Sequence, residues 1–179
     1  MKRFIYSVII FCSLCACSDD NNNPNPRSQE FISFTLDGRQ YQSSYATGFL
    51  NRNVIVGPEQ EAYNNFGASA FIEGLPNSLF QLQIGEVGEP EPGLYESTND
   101  CDLITEPCPF ILFSENGVDE DAEPLVFGLG YTGEIRIQLD QVDFREGGRI
   151  SGSFTAETLD ENGDFHEITD GVFDVVISD

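Results

Sequence analysis

Apolar residues recur at every second position through most of the chain from Phe31 onward, and this alternation limits the possible folds more than any other feature. A period of two places successive side chains on opposite faces of an extended strand. No long run shows the 3.6-residue period of an amphipathic helix. The pattern therefore predicts a single all-β domain over residues 31–179.

Turn residues divide this domain into short strands. Ile32, Phe34 and Leu36 share a face, Asp37-Gly38 is a type I′ turn signal, and the segment 39–43 returns, which predicts an opening hairpin. Further strands are predicted at 54–56, 68–72, 79–84, 110–113, 125–129, 135–144 with a bulge near Asp140, 150–156, 165–168 and 171–177. About nine to ten strands favour an antiparallel β-sandwich or β-barrel with Greek-key or meander connections, and the sequence does not choose between them.

The N-terminus carries an export signal. Lys2 and Arg3 precede an apolar stretch over residues 4–16, which is shorter than the roughly 20 residues of a membrane-spanning helix. Its end, Leu14-Cys15-Ala16-Cys17, resembles the bacterial lipobox, which implies a lipoprotein signal peptide over residues 1–16 and a lipid on Cys17. The alternative is ordinary secretory cleavage near Ala16, which would leave Cys17 as a free thiol.

Residues 17–30 are polar and contain two prolines, so they predict a flexible tether between the lipid and the domain. The acidic pair Asp19-Asp20 resembles the signal that sends lipoproteins of Bacteroidota to the cell surface, although a solvated spacer explains it equally well. We therefore expect an outer-membrane lipoprotein, held to the membrane through Cys17 and facing either the surface or the periplasm.

The charge excludes one large class of partners. The chain has 31 Asp and Glu against 8 Lys and Arg, a net charge of −23. Such a surface repels polyanions, so we expect no nucleic-acid partner. The remaining candidates are an extracellular glycan or a protein.

Only Cys101 and Cys108 remain for the domain once Cys17 and the two cysteines of the signal peptide are set aside. Two thiols outside the cytoplasm predict one disulfide, which closes a short loop. A zinc site would need more ligands than these two and His166, the single histidine, supply. The spacing is not the Cys-x-x-Cys of redox sites either.

Catalytic patterns are weak. Gly67-Ala-Ser69 resembles part of a nucleophile elbow but lacks the second glycine, and His166 lies beside Asp164 and Glu167. We expect His166 to be an exposed histidine on a strand. Acid pairs that would suit a glycosidase are unavoidable in so acidic a chain. The tyrosines Tyr41, Tyr45, Tyr63, Tyr95 and Tyr131 are either sugar-stacking residues or amphipathic strand residues with solvated hydroxyls.

Two segments are candidates for calcium binding. Asp160-x-Asn162-x-Asp164 begins like an EF-hand loop, but the glycine and the terminal acid that the loop needs are missing, so a hairpin turn is the expected structure. Asp119, Asp121 and Glu123 are weak calcium candidates in an acidic loop. No glycine-rich segment has the lysine of a phosphate loop, and we predict no cofactor and no metal beyond these candidates.

Several motifs carry a family resemblance. The opening Phe31 to Tyr41 with its Asp37-Gly38 turn, the Pro92-Gly93-Leu94-Tyr95 turn, and the closing segments 150–156 and 168–174 resemble a family of small secreted lipoproteins of Bacteroidota. The resemblance implies an all-β domain behind a lipobox. The family's function is unknown, so no site residue carries over.

These features favour a non-catalytic binding or accessory module at the cell envelope, and no enzyme. The alternative is a hydrolase that cleaves envelope or other polysaccharide through paired carboxylates, and a purely structural surface protein is a third hypothesis. An enzyme predicts two close, buried acids in a cleft, whereas a binding module predicts an exposed aromatic patch or an open barrel mouth.

Overall fold

A computed structural model describes residues 30–56, 61–75, 77–97, 107–115, 126–127, 132–160 and 162–178. Within these ranges the chain forms ten strands and no helix, which confirms the all-β prediction. The strands are β1 (Phe31–Leu36), β2 (Arg39–Val56), β3 (Glu61–Ile72), β4 (Leu79–Glu86), β5 (Gly93–Ser97), β6 (Cys108–Ser114), β7 (Val126–Phe127), β8 (Thr132–Val142), β9 (Arg149–Leu159) and β10 (Phe165–Val176).

All ten strands belong to one antiparallel sheet in the order β5-β8-β9-β10-β1-β2-β3-β4-β6-β7. The sheet folds over on itself along β2, whose first residues pair with β1 and whose remainder, from Ser43, pairs with β3. A register shift between Ser43 and Tyr45 marks the bend, because a bulge raises the local twist of a strand. The result is a nearly closed, barrel-like sheet in which β5 approaches β6.

The core lies between the two halves of the folded sheet. Phe34 of β1 stacks on Phe80 of β4 at a centroid distance of 4.6 Å, and Phe80 lies 5.4 Å from Phe154 of β9. Phe113 of β6 meets Phe34 edge to face at 5.8 Å. All four rings are buried, and burial of each such side chain stabilises the fold by roughly 2–3 kcal/mol. The inward-facing apolar residues of the alternating pattern therefore pack the two halves of the sheet together in one core.

The predicted opening hairpin is present. Asp37 and Gly38 both have positive φ, 49° and 80°, as a type I′ turn requires. The two-residue turn fixes the register of β1 on β2, with Thr35 opposite Gln40 and Ser33 opposite Gln42. The predicted bulge near Asp140 is confirmed by a register shift between Leu139 and Gln141.

Three strand predictions are wrong. The segments 39–43 and 54–56 belong to one long strand, β2, because the bulge at Ser43 breaks the alternation without ending the strand. Residues 165–168 and 171–177 likewise form one strand, β10, with an isolated bridge at Ile177, and a register shift between Ile168 and Gly171 interrupts the pairing. The Gly93-Leu94-Tyr95 part of the predicted turn is strand β5, paired with β8.

The chain enters the domain at one end of the sheet. Phe31, the first residue of β1, lies opposite Asp174 near the end of β10. At this entry end, Ser178 donates its backbone N–H to the carbonyl of Gly48 at 3.0 Å. The β1–β2 turn and the β9–β10 loop lie together at the opposite end, where the backbone N–H of Asp37 donates to the carbonyl of Glu167 at 3.0 Å.

Candidate functional site

A polar trough runs along the outer face of the sheet over β1. Its cavity has a volume of about 430 Å³. The residues that line it are Ser33, Phe34, Thr35, Arg39, Gln40, Tyr41, Gln42, Glu73 and Asp170. This set is named the polar trough below.

The trough follows from side-chain size on neighbouring strands. Ser33 and Thr35 alternate with the buried residues of β1, so they point outward, and they are short. On β2 the longer, exposed Gln40 and Gln42 stand directly opposite them. On the other side Asp170 has a positive φ of 53° within the bulge of β10. Short hydroxyl side chains thus form the floor, and longer polar side chains form the walls.

An exposed aromatic pair, Tyr45 and Phe71, borders the trough. The two residues are cross-strand partners on β2 and β3, their side chains are 57% and 50% exposed, and their ring centroids lie 6.5 Å apart at 32°. The backbone carbonyl of Gln42 accepts the backbone N–H of Glu73 at 2.8 Å, so the pair lies next to these two lining residues along β2 and β3. Neither Tyr45 nor Phe71 lines the cavity itself.

The bulge in β2 keeps both features on the same face. Tyr41 and Ala46 are buried, while Gln42 and Tyr45 are exposed. The extra residue at the bulge therefore places the side chain of Tyr45 on the same outer face as that of Gln42. Without it, Tyr45 would point to the face opposite Gln42. The hydroxyl of Ser44 donates to the carbonyl of Phe71 at 3.3 Å and stabilises the bulge.

Arg39, which lines the trough, contacts a ring and a carboxylate. Its guanidinium carbon lies 4.8 Å above the ring of Tyr41, and its Nη1 lies 3.3 Å from Oε1 of Glu115. The hydroxyl of Tyr41 donates to the same carboxylate oxygen at 3.3 Å. Burial, and then the charge of Glu115, raise the pKa of Tyr41. The one cation among the lining residues is thus already paired with an anion.

His166 is not the exposed strand histidine that the sequence predicts. Its side chain is only 13% exposed, and it lies between two carboxylates of the turn end. Nδ1 lies 2.6 Å from Oδ2 of Asp37, and Nε2 lies 3.7 Å from Oδ2 of Asp160. The prediction failed because these partners come from other turns, and not from Asp164 or Glu167 beside it in sequence. The cluster ties the β1–β2 turn to the β9–β10 loop.

Asp160 closes the β9–β10 loop, which confirms the predicted hairpin. Its Oδ1 accepts the backbone N–H groups of Asn162 and Asp164, both at 2.8 Å. The hydrogen bonds from Asp164 and Asn162 lower the pKa of Asp160 against the opposing effect of burial. Among the described residues, no group of three or more His, Cys, Asp or Glu side chains has the geometry of a metal site.

The structure does not bring Ser69 and His166 together as a catalytic pair. Ser69 lies within β3, opposite Thr47 and Gln81, whereas His166 lies in β10 in the other half of the sheet. Gly67, the first residue of the elbow-like segment, has a different role. A Cβ atom there would lie 1.9 Å from the carbonyl oxygen of Leu82, so this glycine allows β3 and β4 to approach closely.

A buried tyrosine, Tyr95, joins the carboxylate of Glu86 to the backbone of Glu91. The hydroxyl of Tyr95 donates to the carbonyl of Glu91 at 2.8 Å, accepts its N–H at 3.1 Å, and lies 3.2 Å from Oε2 of Glu86. Burial raises the pKa of Tyr95 to about 12, and burial and the charge of Glu91 raise the pKa of Glu86. These contacts fasten the β4–β5 connection, and none of the three residues lines the polar trough.

Several predicted site residues lie outside the described residues, namely Cys17, Cys101, Asp119, Asp121, Glu123 and Tyr131. Cys108 is buried at the start of β6. Because its predicted partner is not described, the pairing of Cys101 with Cys108 stays a prediction.

Comparison of the chain with protein-family models, with curated proteins and with solved structures gives no significant match. In the described ranges the chain also has no helix of the length and hydropathy needed to cross a bilayer.

Sequence reasoning did not find the polar trough, although part of its signal was present. The type I′ turn fixes Thr35 opposite Gln40 and Ser33 opposite Gln42, which is enough to place short side chains beside long ones on one face. Asp170 and Glu73 complete the walls from distant parts of the chain. No local pattern indicates their position.

Proposed function

We propose that this chain is a lipid-anchored, non-catalytic binding or accessory module of the bacterial cell envelope. In this proposal residues 1–16 direct export, Cys17 carries the lipid that holds the protein at the outer membrane, and residues 17–30 form the tether. The lipobox-like segment and the resemblance to small Bacteroidota lipoproteins support the anchor. A disulfide between Cys101 and Cys108 is part of the same proposal.

The observation that carries the binding role is the exposed aromatic pair beside the polar trough. Tyr45 and Phe71 expose half or more of their side chains to solvent, where burying them against a ligand would be favourable. The adjoining cavity of about 430 Å³ supplies hydrogen-bonding groups and lies in the size range of small-molecule sites. Apolar contact area with polar groups close beside it is the usual composition of a recognition surface.

The rigidity of the scaffold supports the same role. The trough lies over β10, β1 and β2, which are paired on both sides inside the sheet, and the aromatic pair lies on β2 and β3. Binding groups on strands are held more precisely than groups on loops. Little ordering is therefore needed when a ligand binds, which lowers the entropic cost of binding.

The test measures retention of three probe classes by the full chain in detergent: a neutral polysaccharide, an acidic polysaccharide and an unfolded polypeptide. We expect the wild-type chain to retain at least one class of probe, and the Tyr45→Ala/Phe71→Ala variant not to retain it. The length of the polymer should stay unchanged. No retention of any class would overturn the binding role. Shortening of a polysaccharide by the wild-type chain would instead indicate the hydrolase.

A further inference from the structure

We propose that the polar trough and the aromatic pair together bind an uncharged, polyhydroxylated polymer, that is, a neutral glycan. The inference rests on the proposed function and deepens it, because it names the ligand class of the same outer face. It follows from the hydrogen-bonding groups of the trough, from its charge and from the placement of the aromatic pair.

The hydrogen-bonding groups match a ligand that both donates and accepts. The hydroxyls of Ser33 and Thr35 do both, and so do the side-chain amides of Gln40 and Gln42. A sugar hydroxyl has the same double capacity, whereas a phosphate only accepts and an ammonium group only donates. These four lining residues thus give the trough neutral groups of mixed donor and acceptor character.

Charge disfavours an anionic ligand. The charged lining residues are the exposed Glu73, Asp170 and Arg39. Arg39 is paired with Glu115, and the whole chain has a net charge of −23. An acidic polysaccharide or a phosphorylated ligand would meet repulsion both in the trough and at longer range.

The aromatic pair supplies the apolar part of sugar recognition. A pyranose ring has a face of C–H groups, which packs against an aromatic ring, and hydroxyls at its rim. Tyr45 and Phe71 present two rings 6.5 Å apart at the border of the trough, and the bulge in β2 keeps them on its face. A polymer is then able to place hydroxyls in the trough and lay a neighbouring ring on the aromatic pair.

The aromatic pair and the neutral majority of the lining favour a glycan over a basic peptide. A site built for lysine or arginine side chains would concentrate carboxylates, whereas only Glu73 and Asp170 carry them here. The basic peptide is therefore the competing outcome of the test.

The test measures dissociation constants of the full chain in detergent for a soluble neutral glucan, a neutral mannan, polygalacturonate and poly-lysine. We expect a neutral polymer to bind, and polygalacturonate to bind at least about tenfold more weakly. Gln40→Ala/Gln42→Ala and Tyr45→Ala/Phe71→Ala should each weaken binding of the neutral polymer by about tenfold or more.

Two control variants carry the same kinds of substitution elsewhere. Gln141→Ala removes an exposed amide from β8, and Phe165→Ala removes a 60% exposed ring from β10. Both should bind the neutral polymer as the wild type does. Thermal melting of each variant shows that it is folded, and the exposed glutamines provide a test even if loss of both rings prevents folding.

The outcomes separate this inference from the proposed function. No binding of either neutral polymer, or binding that the trough and ring variants leave unchanged, would overturn the glycan assignment. Binding of polygalacturonate or poly-lysine that these variants abolish would also overturn it, yet would leave the binding module standing. Only failure to retain any class of probe overturns both.

Discussion

At the residue scale, Asp160 shows how one carboxylate organises a loop through backbone hydrogen bonds. The sequence Asp160-x-Asn162-x-Asp164 has the spacing of the first calcium ligands of an EF-hand. In the structure the backbone N–H groups of Asn162 and Asp164 both donate to Oδ1 of Asp160. A carboxylate that accepts two N–H groups in this way stabilises a turn.

This arrangement predicts a pH-dependent stability. The folded state lowers the pKa of Asp160, so the ionised carboxylate stabilises the fold above the ordinary Asp pKa of about 4 and loses this contribution as the pH falls through and below that value. We expect Asp160→Asn to lower the free energy of unfolding at pH 7, and the difference from wild type to shrink as the pH approaches 3. Urea denaturation between pH 7 and pH 3 measures both curves.

Asp164→Asn is the matched control, because it removes a carboxylate from the same loop and leaves the backbone N–H that donates to Asp160. A difference between wild type and Asp160→Asn that stays constant over the whole pH range would contradict the role assigned to the ionised carboxylate.

The residues around His166 show the limit of sequence reasoning at this scale. Neighbours in sequence, Asp164 and Glu167, were the candidates to orient the ring, but Asp37 and Asp160 hold it. Asp37 is over a hundred residues away along the chain. Period-two alternation predicts which face a side chain occupies, but the turn that lies beside it depends on strand order.

At the element scale, glycine positions decide how closely strands approach. Gly67 lies in β3, where an added Cβ would be 1.9 Å from the carbonyl oxygen of Leu82 in β4. A Cβ atom added to Gly93 in β5 would have no atom of a neighbouring strand within 4 Å. The two glycines are therefore a matched pair for one substitution in a crowded and in an open strand.

We expect Gly67→Ala to lower the free energy of unfolding by about 1–3 kcal/mol, because the methyl group forces β3 and β4 apart. Gly93→Ala should change it by less than about 0.5 kcal/mol. Chemical denaturation of both variants measures the two effects. Equal losses, or a neutral Gly67→Ala, would contradict the close approach of the two strands.

The strands themselves were predicted well where the pattern is regular and poorly where it breaks. β1, β4 and β9 follow simple alternation, and their predicted positions are confirmed. β2 and β10 were divided because bulges at Ser43 and near Gly171 shift the alternation by one residue within a continuous strand. β5 was read as part of a turn, since Pro92-Gly93 masks the alternation that follows.

At the scale of the whole molecule, the sheet order brings together residues that no local pattern connects. Ser33 and Thr35 from β1, Glu73 after β3 and Asp170 from β10 share the polar trough because β10, β1, β2 and β3 are consecutive in the sheet. The sequence predicted the all-β class but left this order undetermined. The candidate site therefore required the structure, whereas the class did not.

The proposed function also separates attachment from binding. β1 starts at Phe31 at the entry end, opposite the β1–β2 and β9–β10 connections. In that proposal the lipid on Cys17 attaches the protein to the membrane, and the strands of the β domain take no part in the attachment.

This view predicts that Cys17→Ala releases a folded protein from membranes, because the lipid and no part of the β domain provides the attachment. Fractionation of cells after export measures the distribution, and a thermal melt shows that the released domain keeps its stability. Cys15→Ala is the matched control, since it changes a neighbouring cysteine that lies within the predicted signal peptide and should leave the protein membrane-bound. If the Cys17→Ala variant remained in the membrane fraction, another part of the chain would be holding it there.

A separate experiment determines which side of the outer membrane the domain faces. Protease digestion of the wild type on intact cells would place the domain at the surface, whereas digestion only after lysis would place it in the periplasm.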